Sequence, residues 1–145
     1  MNLDTLYQEV ILDHYKNPLN KKLSPTFDVQ VHHINPSCGD EITLNLTAVD
    51  GVITAITWDG VGCSISQASV SIASDLLRGK TFEQAQEISD EFVDLMQSKG
   101  KKVGDEKTLE DAVALAGVSQ YPARIKCALL GWMAIKDASI QTQTK

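Results

Sequence analysis

The stretch "EITLNLTAVDGVITAITWDG", residues 41–60, leaves the chain the least freedom. Ile42, Leu44 and Leu46 alternate with polar residues, and alternation of period two places successive side chains on opposite faces of a strand. Asp50-Gly51 then interrupts, and a second strand-like run returns from Val52. An Asp-Gly pair favours a two-residue hairpin because both turn positions need positive φ. Upstream, "FDVQVHHI" (27–34) alternates through Phe27, Val29 and Val31. The pattern predicts a three-stranded antiparallel meander.

The rest of the chain reads as helix. Leu3, Leu6, Tyr7, Val10, Ile11 and His14 recur at helical spacing over residues 3–16, and Asn17-Pro18 ends that run. A polar, proline-containing loop follows to about Pro25. Beyond Gly62, "CSISQASVSIASDLLRGK" carries an apolar stripe, a capping box in Ser64 and Gln67, and Gly79 as terminator. Thr81 and Gln84 open a second helix in the same way (81–99). Residues 100–107 form a charged connector, and 108–117 a short helix capped by Thr108 and closed by Gly117. The last helix starts at Pro122, runs to about Ala138, and leaves a tail, 139–145, expected to fray. There is no internal repeat. The fold class is α+β, a single domain over residues 1–145 with several helices packed against the sheet.

Composition narrows the function. At 145 residues the chain can bury roughly two-thirds of its unfolded surface without staples. Its net charge is −6, with 13 scattered basic residues, which argues against nucleic acid as a partner. The longest apolar run, "CALLGWMAI", is about half of what a membrane span needs. The first residues carry acids where a signal peptide has a basic start, so a cytoplasmic location is expected.

Cys38, Cys63 and Cys127 are odd in number and widely spaced, which is not a disulfide framework, and no C-x-x-C pair occurs. Count and spacing alone fit three satisfied core thiols. Position points elsewhere, because each lies at an element boundary. Cys38 falls on the loop between the first two strands, beside Pro36 and Gly39. Cys63 falls at a strand-to-helix junction, where a helix N-terminus favours the thiolate. Cys127 falls early in the last helix, three residues after Arg124 and on its face. If the three converge, Asp40 is the natural fourth donor for a tetrahedral Zn²⁺, held less tightly than a fourth thiolate and able to move with the Cys38 loop. Such a site carries a charge of about −2 and invites a cation, Arg124 or Lys126. His32 and His33 point to opposite faces of one strand and are expected to be structural, as is His14. "GVGCSIS" contains G-x-G but lacks the third glycine of a dinucleotide fingerprint. A zinc-stabilised interaction domain without sulfur chemistry is a further reading of the same residues.

"ILDHYKNP" (11–18), "NPSCGD" (35–40), "GVGCSIS" (60–66) and "RIKC" (124–127), in that order, resemble the IscU/SufU family of iron–sulfur cluster assembly proteins. Lys126 stands where scaffold members carry histidine. "YPARIKC" replaces their Leu-Pro-Pro-Val-Lys motif, and the insertion at about 100–120 looks like the SufU branch. Leu19 departs from the arginine of many relatives. The resemblance implies a zinc-dependent sulfurtransferase that accepts persulfide sulfur from a SufS-type cysteine desulfurase and relays it to downstream iron–sulfur assembly proteins. The alternative is an IscU-type scaffold carrying a [2Fe–2S] cluster. Carried over, Cys38, Asp40, Cys63 and Cys127 are the metal ligands and Arg124 a helper. Cys38 is the expected persulfide acceptor because its loop can move, with Cys127 as rival.

Overall fold

The hairpin forms where Asp50-Gly51 predicts it. In the computed structural model, which describes residues 3–37 and 39–144, β2 (Asp40–Val49) and β3 (Val52–Val61) are joined through Asp50 at φ +53° and Gly51 at +80°. β1 (Val29–Asn35) pairs with the other edge of β2, so the sheet order is β1-β2-β3 with both pairings antiparallel. Phe27, expected in the first strand, stands before the ladder and is exposed. Asp28 ends that approach by accepting the Ala48 N–H at 2.8 Å.

The alternation does what the period demands. Val29, Val31, Ile42, Leu44, Leu46, Ile56 and Trp58 are buried on one face, while His32, Thr43 and Asp59 line up across the other. The buried face packs under α2 (Ser64–Leu77) and α5 (Pro122–Gln143), while α1 (Leu3–Lys16) packs on α2 and α3 (Phe82–Met96) packs on α5. At the crossing of α2 and α5 a Cβ on Gly131 would lie 2.6 Å from Val70 Cβ, so glycine sets that close approach. Phe92 and Trp132 stack with centroids 4.2 Å apart in the core. The Trp132 indole N–H donates to Ser69 Oγ at 3.0 Å, so no buried donor is left open there.

Three helix ends differ from expectation. The N-cap of α2 is Cys63 rather than Ser64: its backbone is extended and its sulfur accepts the Ser66 N–H. The expected helix at 108–117 is instead a one-turn α4 (Glu106–Leu109) followed by 3-10 turns from Glu110 to Gln120. Asp105, not Thr108, caps α4 by accepting the Lys107 N–H, and Glu110 at φ +47° stops it. Finally, the expected frayed tail is helical to Gln143. Thr142 and Gln143 side chains donate back to the Ala138 and Ser139 carbonyls, which extends α5 past Ala138. The Thr81–Gln84 capping box forms as predicted.

His14 ties α1 to the body. Its two ring nitrogens lie 2.9 Å from Ser71 Oγ on α2 and 2.9 Å from Asp111 Oδ2 in the 3-10 segment. Ser71 Oγ also accepts the Leu19 N–H at 2.8 Å, anchoring the strap that follows α1. No helix among the described residues is long and apolar enough to cross a membrane.

Candidate metal centre

At one end of the sheet three separate elements deliver one functional group each. Asp40 is the first residue of β2, Cys63 the N-cap of α2, and Cys127 the sixth residue of α5. A carboxylate oxygen of Asp40 and the two sulfurs all lie within 4.8 Å of one another, and no other such group occurs among the described residues. Asp40 and Cys127 are completely buried, and Cys63 is half-buried.

Asp40 is held from several sides. Its Oδ1 accepts the Cys63 backbone N–H at 2.9 Å and the Ser66 hydroxyl at 3.1 Å. Its Oδ2 faces the Asn35 amide nitrogen at 3.4 Å, and that nitrogen is also 3.9 Å from Cys127 Sγ. Two of these donors come from the first turn of α2, whose N-terminus favours negative charge. This is how a carboxylate can sit at zero exposure: buried polar groups must be matched.

Gly62 makes room for the arrangement. A Cβ there would lie 2.3 Å from Asp40 Oδ1 and 2.6 Å from Ser66 Oγ, at φ +155°. Gly62→Ala is therefore expected to push the carboxylate aside and weaken zinc binding by about tenfold or more, the usual scale for losing an outer partner of a metal ligand. Competition against a chromophoric chelator measures this, and binding within twofold of the parent would refute the steric argument.

The geometry corrects one expectation. Asp40, expected as a softly held ligand that moves with the Cys38 loop, is placed as the first residue of β2. Asn35 pairs with Asp40 as the last rung of the β1–β2 ladder, so the loop begins beyond that rung and Asp40 belongs to the rigid sheet. Cys38 lies outside the described residues, and Gly39 beside it adopts φ +71°. Arg124 and Lys126 are exposed in the first turns of α5, on either side of Ile125.

The strand histidines have structural partners. His32 Nδ1 is 2.8 Å from Thr43 Oγ1 and its Nε2 2.8 Å from Glu41 Oε1, on the open face of the sheet. His33 Nε2 lies 2.8 Å from Asp137 Oδ2, linking β1 to α5. That hydrogen bond, helped by one from Gln141, holds the Asp137 carboxyl below its usual range. A depressed acid stabilises the fold above the ordinary carboxylate pKa of about 4 and loses that contribution as pH falls through its lowered value. The tie is thus complete at neutral pH.

Sequence reasoning missed Asn35 and Ser66. Both carried a signal. Asn35 opens the "NPSCGD" motif, and Ser66 is a small polar residue three positions after Cys63, one helical turn into α2.

Two thiols and an anchored carboxylate, next to a loop bearing a third cysteine, define an α+β protein with a thiol–carboxylate cluster. Such donors suit Zn²⁺ or iron rather than Mg²⁺ or Ca²⁺. The comparisons with known proteins agree. Residues 6–128 match the NifU-like N terminal domain. The chain is 46% identical over 136 residues to the zinc-dependent sulfurtransferase SufU of Bacillus subtilis, covering 93% of this chain and 90% of that one. It is 39% identical over 137 residues to the iron–sulfur cluster assembly scaffold protein IscU of Streptococcus pyogenes, covering 94% and 84%. Among solved structures, a protein described as an iron–sulfur cluster assembly scaffold for the SUF system of Fervidobacterium islandicum superimposes with a TM-score of 0.84 at 31% identity, covering 95% of this chain and 99% of that one. The chain belongs to the IscU/SufU family of NifU-like N-terminal domains.

Proposed function

We propose that this chain is a zinc-dependent sulfurtransferase. It accepts persulfide sulfur from a SufS-type cysteine desulfurase and passes it to iron–sulfur cluster assembly. The observation that carries the reading is the convergence of Asp40, Cys63 and Cys127 beside the Cys38 loop. The likeness to the Bacillus sulfurtransferase supports it.

The residues fit zinc. Cys63 and Cys127 supply two thiolates, Asp40 an oxygen, and Cys38 the fourth donor. When bound, zinc would keep its cysteines deprotonated while restraining them until a partner docks. In the transfer, the Cys38 thiolate attacks the outer sulfur of the partner's persulfide. A new S–S bond forms as the old one breaks, the partner's cysteine leaves with the electron pair as a thiolate, and nothing is oxidised or reduced overall. Asp40, Cys63 and Cys127 stay in place during that step, because helix ends and the sheet fix them. Arg124, exposed on the turn before Cys127, serves as a cationic helper for the anionic centre.

A scaffold that assembles a [2Fe–2S] cluster is the second reading, favoured by the 39% identity to the streptococcal IscU. The same donor set could hold iron. Alanine release by the desulfurase, with excess cysteine and reductant, separates the two. Acceleration by the zinc-loaded chain and not by its metal-free form supports the sulfurtransferase. Equal acceleration by the metal-free form supports the scaffold, and no effect of either form removes the sulfur relay.

A further inference from the structure

We infer that Asn35 is a positioning residue: its amide clasps Asp40 and Cys127 together and holds the two as a fixed pair in the centre. This rests on the metal and sulfur chemistry proposed above. Asn35 is 7% exposed and occupies the last rung of the β1–β2 ladder, directly opposite Asp40. Its side-chain nitrogen carries two hydrogens. It sits 3.4 Å from Asp40 Oδ2 and 3.9 Å from Cys127 Sγ, both long contacts that the two ligands share.

Two consequences follow from one neutral donor facing two anionic ligands. First, it relieves part of the repulsion between carboxylate and thiolate, so both remain in place when another ligand leaves. A charged donor would offset the negative charge that attracts the metal; an amide does not. Second, a hydrogen bond to sulfur withdraws electron density from it and lowers its nucleophilicity. Cys127 is therefore doubly unsuited to attack a partner's persulfide, being fully buried and bonded. Cys63 is tied in a related way, since its sulfur caps α2 at the Ser66 N–H.

The test uses the full chain loaded with Co²⁺, whose near-ultraviolet charge-transfer bands report thiolate donors. Asn35→Leu keeps the volume and removes the donor, and Asn35→Ser is a milder change if the first does not fold. Both are expected to move the thiolate-to-Co²⁺ bands to longer wavelength and to weaken zinc binding about 10–100-fold. After turnover with the desulfurase, peptide mapping should find no persulfide at the buried Cys127 of the parent. Bands and affinity unchanged within twofold in a folded variant would overturn the role of Asn35, as would persulfide on Cys127 of the parent. Absence of any thiolate-to-Co²⁺ band in the parent is a different result and would remove the metal-centre reading itself.

Discussion

Asp40→Ala should both strip the metal and destabilise the metal-free protein, by about 2–4 kcal/mol. Truncation removes one acceptor each from the Cys63 N–H, the Ser66 hydroxyl and the Asn35 amide. Each is a donor at a buried or half-buried position, and an unsatisfied buried donor costs about 1–3 kcal/mol. The total stays below three full penalties because the Ser66 hydroxyl keeps the Cys63 carbonyl at 3.1 Å and the Asn35 amide keeps Cys127 Sγ. Urea unfolding of the metal-free forms measures the stability term, and zinc competition measures the ligand term. A metal-free Asp40→Ala protein as stable as its parent would show that the three donors find other partners, and that Asp40 serves only as a ligand.

Cys38→Ala should have the opposite profile, with sulfur acceptance lost and the metal-free fold intact. The ladder closes at Asn35–Asp40, so the loop can lose its thiol without opening either strand. Persulfide loading by the desulfurase, read by intact mass and peptide mapping, is expected to fall at least about twentyfold, a change of roughly 1.8 kcal/mol in transition-state stabilisation. The thermal midpoint of the metal-free variant should stay close to that of the parent. Loading that persists on Cys127 would transfer the acceptor role to that residue and would also oppose the clasp assigned to Asn35. Together the two variants separate scaffold from nucleophile: one position fails by losing stability and metal, the other by losing chemistry.

Much of the fold is legible in the order of the residues. The period-two runs and Asp50-Gly51 specify β2, β3 and their turn, because side-chain alternation and positive φ are local demands. The Thr81–Gln84 box and Pro122 mark two helix starts for the same reason. Sequence reasoning falters where local signals compete. Cys63 and Ser64 both offer a cap, and Cys63 takes it because its backbone is extended, its own N–H is held by Asp40 and its sulfur reaches the Ser66 N–H. Asp105 prevails over Thr108 at α4, and the 3-10 turns after it have too weak an apolar stripe to be read from their spacing.

The candidate site divides along the same line. The residue types are set by the sequence: three thiols at element ends, a carboxylate beside one of them, and a glycine before another. Their meeting is a tertiary event, since Asp40, Cys63 and Cys127 are brought within 4.8 Å only by the docking of α2 and α5 on the end of the sheet. Whether Asp40 moves or stays is likewise undecidable from its neighbours. Position 40 lies two residues after a loop cysteine, which suggests mobility, but the rung with Asn35 and the donors from α2 lock it into the sheet. Local chemistry is encoded by adjacent residues, whereas the rigidity of a ligand depends on partners 5 to 92 positions away, counted from the Asn35 contacts with Asp40 and Cys127.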